Sequence, residues 1–566
     1  MAHNIFKKGP KAQDITVDVV VVGSGTGMLA ALKAKKLGLN ALIIEKTPLV
    51  GGSLARSGGA FWIPANPALL ADGQQDTKEE GSIYISSLAK DAPEEVWHSF
   101  LDYGDETVEF LQKHTDLDLF WAKGYADYHP ENPGGKPLGR SVEYKPYNIA
   151  ALGKEINRFR PGAMKASIPM PVTGFDYKRL NLMMKIPLEA IPIVGKELLT
   201  GIGGRLLGKN YQAGGQAIAA ALFKAVIDAN IPVWTRTEMT EILMENERAS
   251  GVKAIQDGQE VTITANKGVI LATGGFDHNH AMRVAYNSDR FKERAYSLGS
   301  EGNTGDGILT ADKVGADKAL MDQAWWFPAI APTEEGGEPK IMLAERSLPG
   351  SFIINQNAER FVNEATDYMT FGQKLLSLEK EGNPIREMYI IIDTTYKNSY
   401  LFGGTVFARM PFPEGWYDAG VVYKANSAEE LAKAIGVPSE KFIDTFNDFN
   451  TMAARGKDND FNRGDSAYDR YYGDPTVKPN PNLRPLDSNK SLYAIKLVLS
   501  DLGTCGGTVT DEFGRVLRED KSIIKGLYAM GNTAANIFGK SYPGAGATIG
   551  QGLVYGIIIA KTIAEE

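Results

Sequence analysis

Residues 14–46, DITVDVVVVGSGTGMLAALKAKKLGLNALIIEK, constrain the fold more than any other stretch of the chain. An unbroken valine run suits a strand buried on both faces, the interior strand of a parallel sheet. A helical pattern carrying Leu29, Ala30, Leu32 and Leu37 follows, and LNALIIE returns to the strand pattern. Strand, helix and strand make a βαβ unit and predict an α/β fold with a Rossmann-like domain. Gly23 and Gly25 take the first two glycine places of a dinucleotide fingerprint, where the chain turns sharply and a pyrophosphate reaches backbone amides at a helix N-terminus. Thr26 and Gly27 continue that turn, and Met28 stands where the third glycine is usual, with Gly27 beside it relieving the crowding. Glu45 ends the second strand, where a carboxylate accepts from ribose hydroxyls, and Lys46 follows it.

Four further glycine-rich segments share this character. An NAD-type domain would continue with more βαβ units, but the next segment is VGGSLARSGGAFWIPAN, residues 50–66. Its Gly51, Gly52 and Ser53, then Ser57, Gly58 and Gly59, suit the passage of a bulky flat group. GVILATGGFD (268–277) runs a short apolar strand into Ala272, Thr273 and Gly274, and GLYAMGNTAAN (526–536) ends another at Gly531 and Asn532. In SYPGAGATIGQGLVYG (541–556) a tyrosine sits on a Pro-Gly turn ahead of a helix over 549–560. Ala547 and Thr548 lead into that helix and Ile549 opens it, so its positive end and free amides face whatever the turn cradles.

The chain of 566 residues holds two or three domains and a large core, and 43% hydrophobic content is that of a globular protein. A formal charge of −8, with no basic stripe among aromatics, argues against nucleic-acid binding. Cys505 is the one cysteine and closes no internal disulfide. Six scattered histidines, His278 and His280 among them, predict no metal site. The opening MAHNIFKKGPKAQD lacks a signal's apolar core and no apolar run reaches about 18 residues, so a cytoplasmic protein is expected. A central block, 326–500, has another texture: GSFIINQ and MYIIID read as strands, SAEELAKAIG and SEKFIDTFNDFNTMAARG as helices, and DFNRGDSAYDRYYGDP as a charged aromatic loop.

Together these pieces resemble the flavoprotein superfamily of fumarate reductases and 3-ketosteroid dehydrogenases, in which N- and C-terminal segments join to bind FAD. The resemblance implies an FAD domain built from 1–325 and 501–566 with an inserted α+β substrate domain at 326–500. It implies FAD held without a covalent bond by the glycine segments and the residues named above. A fumarate-type site needs an Arg/His cluster to clamp a dicarboxylate, and no such cluster stands out. Tyrosines in loops stand out instead: Tyr125 and Tyr128 in GYADYHPENPGG, Tyr368 in RFVNEATDYMTFG and Tyr542 in SYPGAG, which suit an uncharged carbonyl substrate with an apolar body.

These three elements are similar to those of the 3-ketosteroid Δ1-dehydrogenases. That resemblance implies that Tyr542 and the Gly546 N–H hold the C3 carbonyl, that Tyr368 is the base at C2, and that Tyr128 supports it, with Tyr125 a nearby competitor. It implies C2 proton removal and C1 hydride transfer to flavin N5, giving a 3-keto-1,4-diene in steroid degradation, with an electron acceptor the sequence does not name. Rival readings are a Δ4-(5α)-dehydrogenase, a flavin C=C reductase, and a flavin electron carrier or lipid-binding protein. Two departures are Met28 and Asp367, which precedes Tyr368 where a proline is expected and is expected to face away from the site. Arg360 and Glu364, four apart, read as an ion pair shaping the base's loop.

One segment, about 145–210, is additional to the compact members of the family. Residues 151–210 hold ten Lys and Arg against four Asp and Glu, so the segment is near +6 and the remainder near −14. Basic residues mixed with Leu, Ile, Met and Pro suit a peripheral contact with the inner face of the cell membrane through residues 160–205; a lid or an oligomer interface fits equally.

Overall fold

The computed structural model describes residues 14–163 and 169–566; the polar opening segment and 164–168 of the basic stretch lie outside the described residues. Two sheets organise the chain, and the elements below are numbered in chain order.

The first sheet grows from the valine run. β1 (Ile15–Val22) leads through the glycine turn into α1 (Gly27–Lys36) and β2 (Ala41–Glu45). Val19 to Val21 and Leu42 to Ile44 are fully buried, as a strand covered on both faces requires. Helix α2 (Lys78–Leu88) packs its Tyr84 against Trp62, and α3 (Gly174–Asn181) and α4 (Pro187–Leu198) lie in the basic stretch. After α5 (Gly215–Asp228) come β3 (Val233–Thr235), β4 (Thr237–Glu245), β5 (Arg248–Gln256) and β6 (Gln259–Leu271), then α6 (Asp306–Lys313).

The second sheet is antiparallel and made from β7 (Ala324–Ile330), β8 (Lys340–Ile341), β9 (Ser351–Asn355), β10 (Met388–Asp393), β11 (Val422–Ala425) and β12 (Leu492–Thr504). Its strand order is β8-β7-β12-β10-β9, with β11 paired to β12. α7 (Tyr368–Lys380), α8 (Ala428–Ile435) and α9 (Ser439–Arg455) flank it. β13 (Arg515–Leu517) and β14 (Ile523–Ala529) then return to the first sheet, whose order is β13-β14-β5-β6-β1-β2-β3, and α10 (Ala547–Glu565) closes the chain. β14 runs parallel to β6 through Leu527–Val269, Tyr528–Ile270 and Ala529–Leu271, so a strand near the C-terminus joins the sheet begun at the N-terminus.

The terminal helix is longer than the pattern predicts, starting at Ala547 and ending at Glu565 instead of spanning 549–560. It is the one helix among the described residues long and apolar enough to cross a bilayer, yet 78% of its most apolar window is buried inside the protein. Gly552 and Gly556 explain the close fit on α1: a Cβ at Gly552 would lie 2.7 Å from the Thr26 Oγ1, and one at Gly556 3.3 Å from the Ala30 nitrogen.

Candidate active site

The glycine segments converge on the ends of β1, β6 and β14. At Gly23 (φ +112) a Cβ would lie 2.1 Å from the Ala272 carbonyl oxygen, so only glycine lets the first turn pass beneath the ATGG segment. Gly25 lies across from Gly52, whose added Cβ would be 3.8 Å from the Gly25 nitrogen, while a Cβ on Gly25 or Gly58 would meet nothing within 4 Å. The walls there are bare backbone, a cradle open to a large flat ligand. Thr273 and Thr533 hydroxyls lie 3.1 Å apart, and Thr533 also donates to the Gly274 carbonyl. Asn532 Oδ1 accepts from Trp325 Nε1 at 3.1 Å and from the Thr548 hydroxyl at 3.0 Å. Gly546, at φ +91, caps α10 with no side-chain partner for the first amides.

Other predicted cofactor residues hold hydrogen bonds within the protein. Glu45 is buried and its carboxylate accepts from the Ser24 hydroxyl at 2.7 Å and from the Thr47 amide and hydroxyl at 2.9 and 2.8 Å. A ribose would share those oxygens with two rotatable hydroxyls. The Lys46 ammonium is bound to Thr304 and Asp306, which turns it toward α6. Ser53 accepts from the Ser300 amide and the Asn303 side chain, each at 2.9 Å, and the Ser57 hydroxyl donates to the Leu54 carbonyl.

Next to this cradle three tyrosines from distant segments meet. Tyr128 packs against Tyr368 with ring centroids 5.4 Å apart and against Tyr542 at 5.2 Å; Tyr368 and Tyr542 are 5.5 Å apart. Tyr125 stands one ring further out, 6.5 Å from Tyr128, stacked on Tyr471 at 4.5 Å, and its hydroxyl accepts from Tyr472 at 2.9 Å. Trp325 against Tyr542 (4.8 Å) and Phe327 against Tyr368 (5.2 Å) complete an aromatic wall supplied by β7. Burial pushes the Tyr368 phenol well above its ordinary value, and the neighbouring Tyr542 and Tyr125 add to this, whereas the Tyr128 hydroxyl acts the other way. That hydroxyl is itself buried without a formed hydrogen bond. Tyr542 is also raised by burial, but the Tyr368 hydroxyl and the Thr548 and Gly546 amides favour its ionised form.

Local sequence explains the placement. Asp367 is the N-cap of α7: its side chain accepts from the Thr370 amide at 2.9 Å, which puts Tyr368 on the helix's first turn. Its other oxygen lies 3.9 Å from His129 Nε2. Arg360 does pair with Glu364 at 2.8 Å, and also with Asp458. No group of three or more His, Cys, Asp or Glu residues is placed to hold a metal among the described residues. The residues missed from sequence are Trp325, Phe327, Tyr468, Tyr471 and Tyr472; the YDRYY spacing was visible only as a charged aromatic loop.

Known proteins match this arrangement. A family model described as an FAD binding domain matches residues 18–549. The 3-oxosteroid 1-dehydrogenase of Mycolicibacterium smegmatis is 42% identical over 562 residues, covering 97% of each chain, and that of Mycobacterium tuberculosis is 40% identical, covering 97% of this chain and 98% of its own. The chain belongs to the FAD-dependent 3-oxosteroid 1-dehydrogenase family. It is a flavin oxidoreductase, and its bare glycine cradle fits FAD. The crystal structure of the 3-ketosteroid Δ1-dehydrogenase from Sterolibacterium denitrificans, in complex with 1,4-androstadiene-3,17-dione, superposes with a TM-score of 0.90 at 33% identity, covering 97% of this chain and 99% of that one. The inserted α+β unit on an FAD-binding fold is therefore the architecture of this chain as well.

Proposed function

We propose that the protein introduces the C1–C2 double bond of 3-keto-4-ene steroids, giving 3-keto-1,4-dienes, and that the three-tyrosine cluster is where this happens. The observation that carries the reading is the mutual contact of Tyr128, Tyr368 and Tyr542, brought from positions far apart in the chain beside the flavin cradle. The residues that would hold FAD without a covalent bond are the bare turns at Gly23–Gly27 and Gly51–Gly59, the Ala272–Gly274 segment, Gly531, Asn532 and the first amides of α10. When bound, FAD supplies the two-electron acceptor that takes the C1 hydrogen as hydride.

The chain's own residues do the rest. Tyr542 and the Gly546 amide donate to the C3 oxygen, and those bonds strengthen as enolate charge builds, which acidifies the C2–H. Tyr368 takes the C2 proton. A phenol is a poor base at pH 7, and burial makes this one poorer, so support from Tyr128 is required. Apolar walls from Trp325 and Phe327 exclude water. Anaerobic mixing of the yellow protein with 4-androstene-3,17-dione tests the reaction: the flavin bleaches and the 1,4-diene forms, whereas an electron carrier or lipid binder stays yellow.

The basic stretch we read as a peripheral contact with an anionic bilayer. From Leu188 to Leu206 the chain is helical almost without a break, and Leu188, Ile191, Leu199, Ile202 and Leu206 fall along one side, with Leu188 90% and Leu206 83% exposed. Lys185, Lys196, Arg205 and Lys209 flank the stripe. Liposomes containing phosphatidylserine should pull down the parent and not a Leu188→Glu, Leu206→Glu variant; equal sedimentation of both rejects the contact, and a concentration-dependent mass shift would assign the stripe to an oligomer interface.

A further inference from the structure

Hydrogen bonds to the Pro543, Ala545 and Gly546 carbonyls hold the loop that carries Tyr542, and one side chain links it to the loop that carries Tyr128. Tyr84, on α2, is fully buried. Its hydroxyl donates to the Pro543 carbonyl at 2.7 Å and accepts from the His129 amide at 3.1 Å. The Pro543 carbonyl also accepts from the Tyr128 amide at 3.0 Å. Two further bonds fix the same loop: the Ser141 hydroxyl donates to the Ala545 carbonyl at 2.9 Å, and the Trp62 amide to the Gly546 carbonyl at 3.3 Å.

The environment keeps Tyr84 a neutral donor. Burial raises its pKa well above the ordinary phenol value, with Asp127 adding to this, while the His129 amide and Arg140 act in the opposite sense. Its ring packs beside Trp62 at 6.0 Å and under the Arg140 guanidinium at 5.4 Å, so one orientation is held. Arg140 in turn is clamped between Asp76 and Asp127, and Asp127 accepts from Trp62 Nε1 at 2.8 Å. Gly134 shows how tightly the Tyr128 loop sits on the helix, since a Cβ there would lie 2.5 Å from the Glu80 carbonyl oxygen.

We propose that Tyr84 is a positioning residue for the dehydrogenation: by bridging Pro543 and His129 it sets the distance between the Tyr542–Gly546 donor pair and the Tyr128–Tyr368 base pair. It touches neither steroid nor flavin. The inference rests on the reaction proposed above. Deprotonation and carbonyl polarisation occur on adjacent atoms of one ring, so the two pairs must keep their separation through the transition state, and misplacement by about 1 Å costs on the order of a hundredfold.

The test uses the flavin-loaded protein and rates per bound flavin. Tyr84→Phe removes one oxygen and leaves the ring packing. The expected result is a fall of about tenfold to a hundredfold in the anaerobic bleaching rate with 4-androstene-3,17-dione, with steroid KM changed by less than about twofold. Its pH–rate profile should move to higher pH, because a loosened Tyr128 supports the Tyr368 phenolate less. In a Tyr128→Phe background the same change should cost much less, since the two act through one link. Ser141→Ala, which frees the Ala545 carbonyl, is the second variant and should lower the rate in the same direction. Ser86→Ala is the control: it lies exposed on α2, two residues from Tyr84, and should match the parent. A parent-like rate and profile in Tyr84→Phe overturns the proposal, as does an equal loss in Ser86→Ala. A parent that does not bleach at all rejects the reaction instead.

Discussion

Gly546→Ala is the substitution whose outcome the structure fixes most closely. At φ +91 an alanine pays about 1–2 kcal/mol for left-handed backbone. Its Cβ would sit 2.0 Å from the Ala60 carbonyl oxygen, 2.4 Å from the Ala60 carbonyl carbon and 2.6 Å from the Phe61 Cα, and all three are backbone atoms that no rotamer change moves. Reaching the 3.0 Å limit of real Cβ contacts needs a displacement of about 1 Å. Overpacking of this kind adds roughly 1–3 kcal/mol, so folding weakens by about 2–5 kcal/mol in all. The same displacement carries the Gly546 amide off the ketone oxygen, and losing one such donor costs about 10²–10³ in rate. Stopped-flow bleaching of bound flavin by excess 4-androstene-3,17-dione, with thermal unfolding measured in parallel, separates the two effects. Bleaching at the parent's rate would refute the assignment of this amide, whatever the change in stability.

Three further outcomes follow from the same geometry. Tyr368→Phe should slow bleaching by about 10²–10⁴ while steroid binding persists, since only the base is lost; a binding titration by flavin absorbance checks the second half. Because burial holds the Tyr368 phenol above its ordinary value, the bleaching rate should climb with pH between 6 and 9, by up to about tenfold per unit, and a flat profile would exclude a phenolate base. Glu143, buried beneath α3 and accepting from the Phe175 amide, has its carboxyl pushed up to about 7 by desolvation. A carboxyl raised in the folded state loses stability as pH rises from its unfolded value toward 7, so Glu143→Gln should stabilise the protein at pH 8, by up to about 3 kcal/mol, and not at pH 4.5; melting curves at both pH values decide.

How much of this was legible in the sequence depends on the range of the interaction. The βαβ unit could be read because burial on both faces demands valine at successive positions, and the glycine turns because positive φ and backbone contact exclude every other residue. Tyr128, Tyr368 and Tyr542 were found through motif resemblance, since nothing in their spacing says that their rings meet. Spacing alone does not tell Tyr125 from Tyr128, because their surroundings come from distant residues: Tyr472 donates to the Tyr125 hydroxyl from 347 residues away. Asp367 reads as an anomaly beside a base and proves to be a helix cap. Lys46 reads as a cofactor contact, yet its ammonium is bound by Thr304 and Asp306, partners no local pattern announces. Tyr84 carries no motif at all, and only the fold shows that its hydroxyl spans two loops.

The proposed reaction needs two donors sharing one ketone oxygen. A crystal structure of the flavin-loaded protein with 4-androstene-3,17-dione measures this directly. The steroid O3 should lie about 2.7–3.1 Å from both the Tyr542 hydroxyl and the Gly546 nitrogen, with C2 facing Tyr368. An O3 bound away from both donors, with the A ring outside the three tyrosines, would contradict it.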